Sequence, residues 1–81
     1  MDLNLRLVRY FVAVADAGTF TKAAEQLHIA TPSLSQQVRK LEVELGVSLL
    51  ERDHRGARLT AAGQDFLEES RVLLAAAESA I

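Results

Sequence analysis

Residues 19–40 read TFTKAAEQLHIATPSLSQQVRK, and this stretch decides the fold. In its first half Ala23, Ala24 and Leu27 recur at helical spacing with Lys22, Glu25 and Gln26 facing away, which predicts a short helix capped by Thr19 or Thr21. His28-Ile29-Ala30 then interrupts the pattern. Thr31-Pro32 reads as an N-cap followed by the one helical position where proline costs nothing, because its missing N–H would be unpaired there. From that start Leu34, Val38, Leu41 and Leu45 form a single narrow apolar stripe, and Gly46 closes the helix. Pro32, Gln36, Arg39 and Lys40 fall on the opposite face. Two helices joined by a few residues describe a helix-turn-helix.

Upstream, Leu3 to Ala17 repeats apolar residues at Leu5, Val8, Val12 and Ala15, with a second stripe at Leu7, Phe11 and Val14. A helix apolar on two sides needs two neighbours to pack against. Gly18 suits the left-handed residue that ends it. Downstream, Val47 to Glu51 and Ala57 to Thr60 flank the polar run Arg52-Asp53-His54-Arg55-Gly56, which predicts a small hairpin with a five-residue connection and a basic tip. Thr60 can cap a last helix running to Ile81, about 30 Å long at about 1.5 Å per residue. Along it Leu67, Ser70, Leu74, Ala77 and Ile81 keep the 3-4-3-4 spacing of a helix pair. The first helix cannot cover all of that series, so Leu67, Leu74, Ala77 and Ile81 are expected at a dimer seam.

Eighty-one residues, 49% hydrophobic, allow one core at most, and the absence of cysteine excludes a disulfide framework and thiolate zinc sites. No apolar run is long enough to span a membrane, and the start lacks the pattern of a secretory signal, so a cytoplasmic protein without a membrane partner is expected. The net charge of −2 is unevenly spread. Residues 19–59 carry six basic against five acidic side chains, whereas residues 60–81 carry one basic (Arg71) against four acidic. His28 and His54 are the only histidines, and neither has ligand partners at metal spacing, so no metal or other cofactor is expected. His28 is expected packed or hydrogen-bonded in its turn. No serine has a histidine and an acid placed as a triad, which points away from an enzyme.

Residues 31–40 contain no acid, and Thr31, Ser33, Ser35, Gln36 and Gln37 fall in the first turns, where free backbone N–H groups and the helix dipole favour phosphate. Base edges in the DNA major groove are donors and acceptors, which short hydroxyls, amides and Arg match. Arg39 and Lys40 read equally as a solvated surface pair with Glu42 and Glu44. Arg52, between Glu51 and Asp53, reads equally as a structural ion pair that shapes the wing and as a phosphate contact. Arg55, beside Gly56 at the tip, has no such neighbour in the sequence pattern and is the stronger candidate for a contact.

The sequence closely resembles the N-terminal DNA-binding domain of LysR-type transcriptional regulators over essentially its whole length. The resemblance is carried by Leu7 to Ala15, by Gly18 to Leu27, and by Thr31-Pro32-Ser33-Leu34-Ser35-Gln36-Gln37-Val38. It continues through Leu41-Glu42, Leu45-Gly46-Val47, Leu50-Glu51-Arg52 and Leu59-Thr60-Ala61-Ala62-Gly63, in order and at unbroken spacing. It implies a mainly α fold: a winged helix-turn-helix over residues 1–59, with a three-helix core and a small β-hairpin wing, followed by a long linker helix for dimerisation over residues 60–81.

The resemblance further implies a bacterial regulator of transcription that binds double-stranded DNA as a homodimer on an inverted repeat, and a tetramer in the full-length protein. Helix 31–45 would enter the major groove and wing 52–57 the minor groove. Thr31, Pro32, Ser35 and Gln36 would approach bases or adjacent phosphates, with Ser33 and Arg39 on the same face. Arg55 would reach the minor groove, and Thr21 and Lys22 would hold the DNA backbone. Thr31 replaces a glutamine common in the family and Gln36 stands where arginine is frequent, so readout there favours adenine N6/N7 over guanine. The family carries an effector-sensing domain after the linker helix, so a chain stopping at Ile81 is expected to be an excised domain, with any small-molecule effector acting only through the missing part. Two alternatives stay open: a winged-helix module used only for protein association, and another winged-helix regulator family such as the molybdate-responsive one.

Overall fold

The computed structural model describes residues 3–80, in the order α1 (Leu5–Ala17), α2 (Phe20–Leu27), α3 (Thr31–Leu45), β1 (Leu50–Asp53), β2 (Gly56–Leu59) and α4 (Ala61–Ser79). The two apolar stripes of α1 find the two neighbours they require. Leu7, Val8, Phe11 and Val14 are fully buried, and α1 packs against α2 and α3 on one side and α4 on the other. Ala23 and Ala24 of α2, Leu34, Val38 and Leu41 of α3, and Leu49 and Leu50 complete the core. Phe66 of α4 meets Phe11 with ring centroids 5.6 Å apart. The ion pairs Arg71–Asp16 at 2.7 Å and Arg9–Glu78 at 3.7 Å set α4 antiparallel to α1 along its edge. Asp16 holds the Arg71 guanidinium further above its ordinary pKa range, through its hydrogen bond and its charge.

The caps locate the helix boundaries and correct several expectations. α1 begins at Leu5 and not at Leu3, because the Asn4 side chain accepts from the Arg6 N–H and ends the extended segment there. Thr19 caps α2 by accepting from the Lys22 N–H at 3.0 Å. α2 ends with the His28 N–H donating to Glu25 and the Ile29 N–H to Ala24, a Schellman closure that puts His28 at φ 59. His28 is therefore exposed, not packed in the turn, because its left-handed backbone turns the side chain outward. Ile29 is pinned against the core, leaving Ala30 alone to extend the chain. The first bond of α3 runs from the Leu34 N–H to the Ala30 carbonyl, so Ala30 and not Thr31 is the N-cap and Pro32 takes the second helical position.

The hairpin is tighter than the five-residue connection expected. β1 and β2 pair antiparallel as Leu50↔Leu59, Glu51↔Arg58, Arg52↔Ala57 and Asp53↔Gly56, which leaves a two-residue turn, His54-Arg55. Polar Arg52 and Asp53 join the strand because Asp53 also accepts from the Arg55 N–H and closes the turn. Gly56, at φ +132, lies so close to α1 that an added Cβ would sit 2.6 Å from the Gly18 carbonyl oxygen. That carbonyl accepts the Ala57 N–H at 3.0 Å and docks the hairpin on the α1–α2 turn.

Thr60 caps α4, accepting from the Gly63 N–H at 2.9 Å while its hydroxyl donates to the Ser48 carbonyl at 2.6 Å. Leu67 and Leu74 rest half-buried against the core, Ala77 is half-buried, and Ser70 is buried with its hydroxyl donating to the Phe66 carbonyl. Part of the expected dimer seam is thus already covered within the chain, while Val72 stays 71% exposed. Ile81 lies outside the described residues. Among the described residues no helix is long and apolar enough to cross a membrane.

The first turn of α4 crosses the backbone of Leu49 at Gly63, where an added Cβ would lie 2.0 Å from the Leu49 carbonyl oxygen. Gly63→Ala is predicted to destabilise the domain by about 2 kcal/mol or more, because backbone and not a flexible side chain must yield, which lowers Tm by roughly 10 °C in a chain of this size. Gly46→Ala, at φ +74 but facing open space, carries only the left-handed strain of about 1 kcal/mol. Calorimetric melting that ranks the two variants equal, or reverses them, would contradict this packing.

Candidate nucleic-acid interface

Three pieces of chain converge on one side of the molecule: the start of α2, the exposed face of α3 and the hairpin. On α3, Pro32, Ser33, Gln36, Arg39 and Lys40 are exposed, and Thr31 and Ser35 are half-buried. The missing side-chain cap leaves the first turn of α3 open, with the N–H groups of Thr31 and Ser33 free of any side-chain acceptor. On α2, Thr21 and Lys22 are exposed in the first turn. A cleft of about 320 Å³ separates that turn from the hairpin, lined by Thr19, Phe20 and Thr21 on one wall and Arg52 to Gly56 on the other. Every residue named as a DNA contact in the sequence lies on one of these three pieces.

The charges on this side are arranged to leave cations available. Arg58 takes the hairpin carboxylates, pairing with Asp53 at 3.0 Å and Glu51 at 3.8 Å. Arg55 does have a neighbour, contrary to the sequence pattern, because the two-residue turn folds it back over Asp53. The contact is 4.0 Å long and the Arg55 side chain is 73% exposed, so solvent screens it and an anion can displace it. Lys22, Arg39 and Lys40 have no carboxylate within 4.0 Å among the described residues. Glu42 does not neutralise Arg39 or Lys40. Its carboxylate turns inward and accepts the N–H groups of Leu49 at 2.7 Å and Leu50 at 3.2 Å.

Arg52 forms no ion pair with Glu51 or Asp53 among the described residues. Its guanidinium carbon lies 4.2 Å from the centre of the Phe20 ring, and Nη1 donates to the Ser35 hydroxyl. Burial lowers its pKa from the ordinary arginine range, opposed by the charge of Glu42 and aided by that of Arg39. Phe20, Ser35 and Arg52 lie 15 to 32 residues apart, so no local spacing announces the trio. The whole constellation is an anion-facing surface: an amide and hydroxyls on a helix, flanked by cations on two neighbouring elements.

The model of the family described as "Bacterial regulatory helix-turn-helix protein, lysR family" matches residues 5–64. The Hca operon transcriptional activator HcaR of Escherichia coli K12 is 55% identical over 78 residues, covering 96% of this chain and 26% of that protein. The HTH-type transcriptional regulator TcbR of Pseudomonas sp. strain P51 is 50% identical over 72 residues, covering 89% of this chain and 24% of its own. The chain thus spans about a quarter of the length of the curated relatives it matches. Among solved structures, the DNA-binding domain of CbnR in complex with DNA superposes with a TM-score of 0.93 at 47% identity, covering 96% of this chain and 90% of that one. With matching family model, sequence and fold, the chain belongs to the LysR family of bacterial helix-turn-helix regulators and forms their DNA-binding domain.

Proposed function

We propose that this domain recognises a specific duplex sequence as a dimer on an inverted repeat, in the bacterial cytoplasm and with no catalytic step of its own. The observation that carries the proposal is the stretch of α3 from Thr31 to Lys40, free of acidic residues and exposed at Pro32, Ser33, Gln36, Arg39 and Lys40, beside neighbouring elements that carry the cations Lys22 (α2) and Arg55 (hairpin). A helix fits the major groove, about 12 Å wide, and the hairpin then overhangs the adjacent minor groove. That the similarly folded CbnR DNA-binding domain is solved in complex with DNA supports a DNA-binding reading.

Each side chain then has a distinct task. Gln36 presents an amide that pairs with adenine N6 and N7 in bidentate fashion. Thr31, Pro32 and Ser33 surround the open first turn of α3, whose N–H groups and dipole favour a phosphate or a base acceptor. Ser35 lies one position before Gln36 on the inner edge of that face. Arg39, further along α3, and Thr21 with Lys22 at the start of α2 contact the sugar–phosphate backbone. Arg55 leaves its weak pairing with Asp53 for the minor groove, whose negative potential attracts arginine. Two copies associate through α4, along the outer edges of half-buried Leu67, Leu74 and Ala77.

Two measurements test these assignments. Gln36→Ala is expected to lose about 1–3 kcal/mol on the preferred duplex and to relax preference at one base pair, whereas Lys22→Ala weakens all duplexes alike and reduces the salt slope by about one unit. Uniform losses from both variants in binding titrations would remove Gln36 from the reading face. Light scattering tests the seam: Ala77→Glu and Leu74→Glu are both expected to give monomers. If Leu74→Glu lowers Tm while both variants remain dimeric, α4 is not the interface.

A further inference from the structure

Resting on the assignment of Ser35 to the DNA-reading face, we infer that Arg52 is a positioning residue for sequence readout, acting through the Ser35 hydroxyl. A hydroxyl has one proton to donate and two lone pairs to accept with. Nη1 of Arg52 occupies a lone pair of Ser35, so the serine proton is turned away from the guanidinium. The donor is a cation with no carboxylate within 4.0 Å among the described residues, and a hydrogen bond from a cation polarises the hydroxyl. Ser35 is thereby committed to donating toward a base acceptor of the duplex, a purine N7 or a carbonyl oxygen. No side-chain hydrogen bond among the described residues prepares Thr31 or Ser33 in this way.

The geometry of the arginine is over-determined, which is what a positioning role requires. One face of the guanidinium stacks on Phe20 of α2, and one N–H is spent on α3. The backbone of Arg52 is fixed opposite Ala57, whose N–H is itself tied to the Gly18 carbonyl. The hairpin therefore cannot shift along α3 without breaking the bond that orients Ser35, so wing position and base readout are coupled. Lysine cannot reproduce this, having neither the planar face nor the fork.

The test uses the duplex enriched from a random pool by the unaltered protein, together with its single-base-pair variants, and compares Arg52→Lys, Ser35→Ala and the double variant. Arg52→Lys keeps the charge, yet it is expected to weaken the enriched duplex about fivefold or more and to flatten preference at the same base pair as Ser35→Ala. The double variant is expected to lose no more than about twofold beyond the worse single one, the non-additivity of two groups acting as a unit. Phe20→Leu removes the stacking platform and leaves every DNA-facing group in place, so it gives the same flattening and decides the matter if Arg52→Lys does not fold. Additive losses, or weakening with an unchanged base profile, would overturn the positioning role while leaving sequence-specific binding intact. A pool that yields no enriched duplex would overturn both.

Discussion

The peptide of Leu49 is where the three parts of this chain are joined, and the geometry of the interface depends on it. Its N–H is taken by the Glu42 carboxylate at the end of α3, and its carbonyl accepts the Thr60 N–H at the start of α4. Its side chain is fully buried, and its oxygen marks the closest approach of Gly63. α3, the hairpin and α4 are thus fixed to one residue that touches no DNA in the proposed docking. An uncapped N–H at this position would carry the desolvation cost of an unmade bond, about 1–3 kcal/mol, which the inward-turned Glu42 removes. The second anchor, Gly18 to Ala57, holds the far strand of the hairpin.

From these anchors the surface follows. α1 spends both its apolar faces inside, one on the helix-turn-helix and one on α4, and contributes nothing to the cationic side beyond support. The interface is then built from first turns and a hairpin tip, places where the chain has polar groups to spare. Net charge is a poor guide to such a surface: the acid of residues 60–81 lies along α4, and the hairpin acids are matched by Arg58. What faces outward between α2 and the wing is positive although the chain as a whole is not.

The helices were legible because their signals are local. Gly18 and Gly46 end α1 and α3 as the left-handed closures they resemble, Thr19 and Thr60 cap as their positions suggest, and the stripe Leu34, Val38, Leu41 packs inward. The N-cap of α3 was less legible, since proline marks a first turn but not which residue of it, and the pinned Ile29 settled Ala30. The hairpin was legible in existence and not in length. Its β1 strand buries only Leu50, so there is no alternation to read, and the turn is closed by Asp53 from within the strand. The candidate contacts were found by type and position, whereas the Phe20–Arg52–Ser35 trio depends on contacts between distant segments that no periodicity encodes. The linker helix shows the same limit: a heptad-like series does not say whether its partner is another chain or, for Leu67 and Leu74, partly the domain's own core.

The central claim is that this surface reads duplex sequence through charge and groove contacts together, and selection from a random duplex pool followed by a salt titration of the enriched binder tests it most directly. The account predicts an inverted repeat with half-sites about one helical turn apart, and an affinity that falls steeply with salt, by about 10³ or more between 50 and 200 mM if six or more phosphates are neutralised. A folded protein that enriches no sequence at low salt, or whose binding is indifferent to salt, would contradict it and leave a winged helix built for protein association.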